Sequence, residues 1–383
     1  MWRLMISEDN AQVLKRDTNY IAVATLKVAT VFVVLNLYSC TSPSSERIHS
    51  GEAQGTTYMI KYTGDESVTQ LQVDSVIESM DVEMNTWRND ARISKLNNFT
   101  REDVAFSFDD HSKIWSVIWE LSSDIRTDSD GAFDPTVKPL VDLWGFGLQH
   151  VDSVDSTDVD SIMRFVGFGP ENIDLKEPGA SRSLSETQIF KGDGRTQLDF
   201  NAIAQGYTVD MLIHLLMESG IENAMVELGG EVRCIGLNLK GLPWRIAVDK
   251  PVTNNRAGGR PLQAILEVNN ASVCTSGNYR KFKEIDGVRV SHTIDPRTGY
   301  PAYHALLSVT IQAGSAAVAD AYATACMVLG PKDGRAFIER MLRENPGESI
   351  EALFIIDAGV NATTDVPFEF WATEGWKEDI IWL

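Results

Sequence analysis

Several residue types and patterns are scarce in this chain, and each shortage narrows what it does. Cysteine occurs four times, at Cys40, Cys234, Cys274 and Cys326, and never as a Cys-x-x-Cys pair. With Cys40 set apart near the N-terminus the remainder is odd in number. That indicates neither a disulfide framework nor a zinc site, and buried small side chains are the expected role. Basic residues are outnumbered: 34 Lys and Arg face 54 Asp and Glu, a formal charge of −20. This argues against a nucleic-acid binder, which carries a basic stripe, and against adhesion to anionic lipid by charge. An acidic protein that handles phosphates must neutralise them locally, by a metal ion or by helix N-termini. No strand leads into Gly-x-Gly-x-x-Gly and no Gly-x-x-x-x-Gly-Lys-(Ser/Thr) occurs, so neither a Rossmann nor a P-loop nucleotide site is indicated. Internal repeats are absent, and no apolar run is long enough to span a bilayer.

What is present describes a globular chain. A hydrophobic content of 43% over 383 residues allows a large core, as one big domain or two moderate ones. The N-terminus reads differently. Arg3, Lys15, Arg16 and Lys27 precede an apolar run at 28–37, broken only by Thr30 and Asn36, and Leu37-Tyr38-Ser39-Cys40 follows. This resembles a bacterial lipoprotein signal, in which the cysteine is lipidated and becomes the mature N-terminus; an uncleaved membrane anchor is the alternative. Either reading places the bulk of the chain on the exported, periplasmic side of a bacterial cell envelope, tethered to the membrane. The expected division is a signal at 1–40 with Cys40 as lipidation site, a polar tether at 41–51, and a folded domain at 52–383.

Periodicity supplies the elements. Residues 55–63, GTTYMIKYT, alternate as a strand does, and 68–87 carry helical spacing. A second helix is expected at 109–126, with Trp115 and Trp119 on one face as core residues. The acidic stretch 151–162 reads as a solvated insertion leading into a helix. Residues 197–220 read as a strand end turning into a helix capped by Gly220. Strands are expected at 224–237, 244–251, 262–277 and 306–314, then helices at 314–330 and 331–345, then the strand ALFIID. Strands and helices mix without βαβ regularity, so the fold class is α+β.

Four segments break their packing pattern with polar, Gly or Pro residues: DGAFDPTV (130–137), LDFNAIAQGY (198–207), SHTIDPRTGYP (291–301) and AVADAYATA (317–325). ELGGE (227–231) and TSGNYRKF (275–282) lie between them. In the last of the four, Asp320 and Thr324 stand four apart and share one helix face. A Thr in a helix often bonds its own backbone, and an Asp near a helix start often caps it. A carboxylate and a hydroxyl together also suit a hard cation such as Mg²⁺. His292 is the one histidine inside a motif, and imidazole suits proton removal near neutrality; a structural His bonding the Asp295 turn is the alternative. Arg297 reads equally as a phosphate clamp or a turn-stabilising residue.

Taken together, the order and spacing of these motifs resemble the ApbE family, the FAD:protein FMN transferases once called thiamine-biosynthesis lipoproteins, over roughly residues 55–330. HTIDPRTGYP followed by ADAYATA is the most specific part. The resemblance implies an α+β fold with mixed sheets and helices, in two lobes around a flavin-binding cleft. It implies Mg²⁺-dependent cleavage of FAD, with FMN moved onto a Ser or Thr hydroxyl of a target protein and AMP released. By residue, it implies Mg²⁺ ligands at Asp320, Thr324 and the Ala202 carbonyl. It implies FAD contacts at Gln54, Trp87, Ala132, Phe133, Asp134, Asp199, Gln205 and Ile294, and a base at His292. Gln54 and Gln205 depart from the family, which often has Met at the first position and Lys or Glu at the second. The implied partners are FAD, exported flavoproteins carrying Asp-x-x-(Ser/Thr)-Gly-Ala-(Ser/Thr), and the membrane through the lipid anchor, with no nucleic acid. That target motif is absent from this chain, so self-modification is not expected. The rival readings are an FAD pyrophosphatase giving FMN and AMP, with water in place of the target hydroxyl, and a flavin-binding lipoprotein without turnover.

Overall fold

The computed structural model describes residues 46–64, 66–147, 151–176, 186–252, 261–278, 282–285, 288–359 and 368–383. The signal at 1–40, with Cys40, lies outside the described residues. In chain order come β1 (Glu46–Ala53), β2 (Thr56–Thr63), α1 (Gln70–Met84), α2 (Arg92–Asn97), β3 (Phe106–Asp109) and α3 (Ile114–Asp128). A 3-10 turn (Pro135–Val137) leads into α4 (Lys138–Leu143), followed by α5 (Ser156–Met163), β4 (Ile173–Lys176), β5 (Glu186–Lys191) and α6 (Asn201–Glu218). Strands then run consecutively: β6 (Asn223–Leu228), β7 (Glu231–Ile235), β8 (Trp244–Asp249), β9 (Leu262–Val268), β10 (Ala271–Gly277), β11 (Phe282–Ile285), β12 (Val288–Ser291) and β13 (Leu306–Ala313). The chain closes with α7 (Ala316–Glu344), β14 (Glu351–Asp357), β15 (Phe368–Ala372), α8 (Glu374–Lys377) and β16 (Ile381–Trp382).

Eight strands form one sheet in the order β1-β2-β6-β7-β10-β13-β14-β15, antiparallel at every junction. Side chains alternate across its two faces. Val226, Leu228, Cys274, Val309, Phe354 and Ile356 pack with α6 and α7. On the opposite face Val232, Cys234, Val273, Leu353 and Ile355 pack with Trp244, Ile246 and Leu266 of the small sheet β16-β9-β8. Covering both faces explains the unbroken apolar run of β14, where five consecutive residues are buried. At the sheet edge, β1 alternates exposed and half-buried residues throughout. The fold is therefore α+β, as expected from the sequence.

One boundary differs from the expectation. Residues 46–51, read as the end of a polar tether, belong to β1, which pairs with β2 from Glu46↔Thr63 to Ala53↔Thr56. The hairpin turn is Gln54-Gly55, both at positive φ (50° and 73°), the conformation that two-residue hairpins favour. An edge strand exposes every second residue, so its composition is polar and resembles that of a tether. Residues 41–45 lie outside the described residues.

Helix α7 carries the site and is buried nearly all round: Ala316, Ala317, Ala319, Ala321, Ala323, Ala325 and Cys326 are enclosed. It breaks at Gly330, where φ is 77°, and Pro331 follows. Pro331 has no N–H, so the carbonyl of Met327 loses its helical donor. His304 replaces it. Its Nδ1 accepts from the Leu306 N–H at 3.2 Å, so its Nε2 carries the proton and donates to Met327 O at 2.8 Å. Only neutral imidazole does both, and burial pushes His304 below its ordinary value of 6.5. A folded-state pKa below the unfolded one gives stability that is complete above pH 6.5 and lost as pH falls through the lowered value. In thermal melts, His304→Gln should therefore be less stable than wild type at pH 7.5, with the gap closing toward pH 5. A gap independent of pH would contradict this pairing.

Candidate active site

The site begins where α6 crosses the start of α7. Ser315 is the N-cap of α7, its side chain accepting from the Val318 N–H. Asp210, on α6, reaches across to the same helix end. Its carboxylate accepts from the N–H of Ala316 and Ala317, each at 2.9 Å, and from Ser315 Oγ at 2.8 Å, and it pairs with Arg233 of β7. A carboxylate at a helix N-terminus satisfies orphan N–H groups and offsets the dipole. The crossing is close because Gly206 stands at it: a Cβ there would lie 2.3 Å from the Ala316 carbonyl oxygen. Gly206→Ala must push the helices apart, at about 1–3 kcal/mol of overpacking. The expected result is a lower Tm, read by thermal shift; an unchanged Tm would contradict the close packing at this crossing.

One turn along α7 from that crossing is Asp320, only 6% exposed. It does not cap its own helix, since Ser315 does. Instead its Oδ2 accepts from the Gly206 N–H at 3.2 Å. In a regular helix that N–H points at the carbonyl four residues earlier, which is Ala202. One N–H thus marks a point that both the Asp320 carboxylate and the Ala202 carbonyl approach. Burial pushes the Asp320 carboxyl up to about 7, the Gly206 hydrogen bond opposing and the Asp210 charge adding to the rise. Asp320 takes part in none of the described ion pairs. Thr324, one turn further and half-buried, does not bond its own backbone in the described hydrogen bonds; its Oγ1 lies 3.4 Å from Ser276 Oγ on β10. Thr208, by contrast, does donate to the Ala204 carbonyl at 2.8 Å.

From Ser276 the contacts continue to His292. Asn278, two residues on, accepts through Oδ1 from Ser291 Oγ and Thr293 Oγ1, the neighbours on either side of His292. His292 itself is half-buried, its ring edge-on to Phe146 at 6.3 Å. The turn beyond it is closed by Asp295, whose carbonyl accepts from Thr298 and Gly299 and whose carboxylate accepts from the Arg297 N–H at 2.9 Å. Arg297 also folds its guanidinium onto Asp295 at 2.8–2.9 Å, so the structure places it as a turn-stabilising residue. Ile294 is buried in a small cluster with Leu140 and Trp144, and Trp144 Nε1 donates to the Gly299 carbonyl at 2.8 Å.

The remaining candidate residues fall into groups. Gln54 and Gln205 meet beside α6: Gln205 Nε2 donates to the Gln54 carbonyl at 3.4 Å, and Gln54 Nε2 donates to Thr208 Oγ1 at 2.9 Å. Gln54 Oε1 is buried without a hydrogen-bond partner, next to a cavity of about 500 Å³ along the β1–β2 turn. Asp199 N donates to the Pro135 carbonyl at 2.7 Å, which joins the 198–207 segment to the 130–137 loop. Asp199 Oδ1 accepts from the Asn201 N–H at 2.8 Å, and burial pushes its carboxyl above the usual range. Ala132 and Phe133 are buried. Asp134 accepts four hydrogen bonds from the protein itself, from Arg126, Phe168 and twice from Thr136, so it already fixes its own loop. A cavity of about 460 Å³ lined by Arg126, Gly131, Asp134, Gly167 and Arg297 joins that loop to the Asp295 turn. Trp87 stands apart. Its residue is 60% exposed on the turn after α1, and no described hydrogen bond or ring contact links it to the others.

Sequence reasoning passed over Gly206, Asp210, Ser276 and Asn278. A glycine inside a helical pattern was the available signal for Gly206. The donors at the crossing are one buried carboxylate, a backbone carbonyl and a hydroxyl, all hard oxygens. Among the described residues no group of three or more His, Cys, Asp or Glu forms a metal cluster. Such a set fits a Mg²⁺ that keeps positions for phosphate oxygens and water, and not a soft metal. The three described cysteines are buried and free, as expected.

The sequence profile of the ApbE family matches residues 54–348. The FAD:protein FMN transferase of Vibrio cholerae (strain O395) is 37% identical over 314 residues, 80% of this chain and 88% of that protein. The protein of the same name from Escherichia coli K12 is 32% identical over 301 residues, 76% of this chain and 80% of its own. The solved structure of flavin transferase ApbE from Vibrio cholerae superposes with a TM-score of 0.71 at 33% identity, covering 88% of this chain and 99% of that one. The apo flavinyl transferase ApbE of Pseudomonas stutzeri gives 0.69 at 30% identity, over 88% and 97%. With a profile that spans most of the chain and relatives aligned over most of their own length, this chain is a member of the ApbE family.

Proposed function

We propose that the chain is an exported, lipid-anchored FAD:protein FMN transferase that depends on Mg²⁺ and releases AMP. The observation that carries this reading is the buried Asp320 carboxylate, which takes part in none of the described ion pairs and accepts from the Gly206 N–H that a regular helix directs at the Ala202 carbonyl, with Thr324 on the next turn of α7. The names of the relatives support the transferase activity. Asp320, Thr324 and the Ala202 carbonyl would hold the cation. A bound Mg²⁺ there supplies charge against the phosphoryl oxygens and the departing AMP.

The chain's own residues then have distinct tasks. Gln54, Gln205, Asp199, Ile294 and the 132–134 loop line the flavin cleft between two lobes, with Trp87 as an exposed ring at its rim. Gln54 Oε1 offers a buried acceptor, so a ligand N–H placed there removes the cost of an unpaired group. His292 takes the proton from a target Ser or Thr as its oxygen bonds to the FMN-side phosphorus. The bond from that phosphorus to the bridging oxygen breaks, and the electron pair leaves with AMP. The target is an exported flavoprotein with Asp-x-x-(Ser/Thr)-Gly-Ala-(Ser/Thr), modified at the last residue. Cys40 carries the lipid, and the domain faces the periplasm.

Separation of nucleotide products tests this reading against a pyrophosphatase. With FAD and Mg²⁺, AMP should appear rapidly only when a motif-bearing acceptor is present, and EDTA should stop it. AMP and free FMN forming at the same rate without acceptor would assign the site to water instead.

A further inference from the structure

The last residues of β10, Thr275-Ser276-Gly277, and the Asn278 that follows them touch both halves of the site. Ser276 Oγ lies 3.4 Å from Thr324 Oγ1. Asn278 continues the strand by one residue, its N–H donating to the Leu307 carbonyl at 3.0 Å. Its side chain turns to the His292 loop, where a single atom, Oδ1, accepts from Ser291 Oγ and Thr293 Oγ1, each at 2.7 Å. The Thr293 N–H closes the triangle on Ser291 Oγ at 3.0 Å. Residues on both sides of His292 are therefore pinned to one strand. Residues two apart on a strand point to the same face about 7 Å apart. The same strand end thus sets the His292 backbone against the α7 hydroxyl.

We infer that Asn278 is a positioning residue for proton transfer by His292, fixing the loop so that the imidazole meets the target hydroxyl beside the phosphoryl group. This rests on the reading of His292 as the base. The residue is needed as an acceptor, since both bonds run from hydroxyls to its carbonyl oxygen. Its amide nitrogen takes part in none of the described hydrogen bonds of the clamp. Misplacement of a reacting group by about 1 Å costs on the order of 10²-fold in rate, far more than it costs in binding of a substrate held elsewhere.

Five variants of the full chain test this, assayed for transfer with FAD, Mg²⁺ and an acceptor, with Tm as a folding control. Asn278→Ala should lower kcat on the order of 10- to 100-fold and leave KM for FAD near wild type. Asn278→Asp keeps the acceptor oxygen and should restore most of kcat. Thr293→Val removes one of the two donors at constant shape and should give a smaller loss of kcat in the same direction, which serves should Asn278→Ala fail to fold. In a His292→Asn background, adding Asn278→Ala should cost little more, because residues that act through one another are non-additive. A full additional loss in that background, or an Asn278→Asp variant as poor as Asn278→Ala, would overturn the role of Asn278 and leave His292 as base. A His292→Asn enzyme with near-wild-type kcat would overturn the base reading and this inference with it, and the single variant reveals that outcome alone.

Discussion

Asp320→Ala should lose transfer by at least on the order of 10³-fold and should show no rise in Tm with Mg²⁺, where the wild type should show one. Asp320 supplies the only charge in the proposed donor set; Ala202 and Thr324 offer neutral oxygens that water can replace. Its carboxylate also receives the Gly206 N–H, so alanine leaves a buried donor at the helix crossing unpaired. Asp320→Asn separates these two effects. Asparagine keeps an acceptor for Gly206 and nearly the same shape but carries no charge. Burial holds the wild-type carboxyl up at about 7, which means that its ionised form is disfavoured in the fold. A folded-state pKa above the unfolded 3.8 lowers stability as pH rises through that interval, so the cost is complete at pH 8. Without Mg²⁺ at pH 8, Asp320→Asn should therefore melt at or above the wild-type temperature, and adding Mg²⁺ should reverse the order. Thermal melts with EDTA and with saturating Mg²⁺ check both halves. A variant that still gains stability from Mg²⁺ would remove Asp320 from the cation site.

His292→Asn should lower transfer on the order of 10²- to 10⁴-fold while FAD binding, followed by flavin fluorescence, stays close to wild type. Asparagine preserves a polar side chain next to Phe146 and leaves Ser291 and Thr293 in their clamp. Only neutral imidazole accepts a proton. The wild-type rate should then rise with pH as the imidazole loses its proton, and the variant should lack that limb. A structural histidine would give the other pattern, with lost FAD affinity or Tm alongside the rate and an unchanged pH profile.

The sequence carried the local elements well because their causes are local. Alternation in 55–63 became β2, and the small-residue helix at 314–330 became the buried front half of α7. Trp115 is fully buried, as its position on one helix face required. Motif order carried the family. What remained hidden is tertiary. Asp320 meets Gly206 across 114 residues, and Asp210 caps a helix more than 100 residues away; no window along the chain contains both partners. The reason for a glycine at 206 is the Ala316 carbonyl, 110 positions along the chain, which a Cβ would meet at 2.3 Å. His304 seemed to have no context because the carbonyl it serves, Met327, is orphaned by a proline 27 positions later than the histidine. At β1 the error was of composition: Glu46 and His49 read as tether, although their pairing partners in β2, Thr63 and Ile60, read as a strand.

The most direct measurement is the intact mass of an exported acceptor that carries the Asp-x-x-(Ser/Thr)-Gly-Ala-(Ser/Thr) motif, after incubation with this protein, FAD and Mg²⁺. The account predicts the mass of one FMN added per acceptor, placed by peptide mapping on the last Ser or Thr of the motif. It also predicts no addition with EDTA in place of Mg²⁺ and none with Asp320→Ala. An acceptor of unchanged mass while FAD is split to free FMN and AMP, or an adduct that forms equally in EDTA, would contradict it.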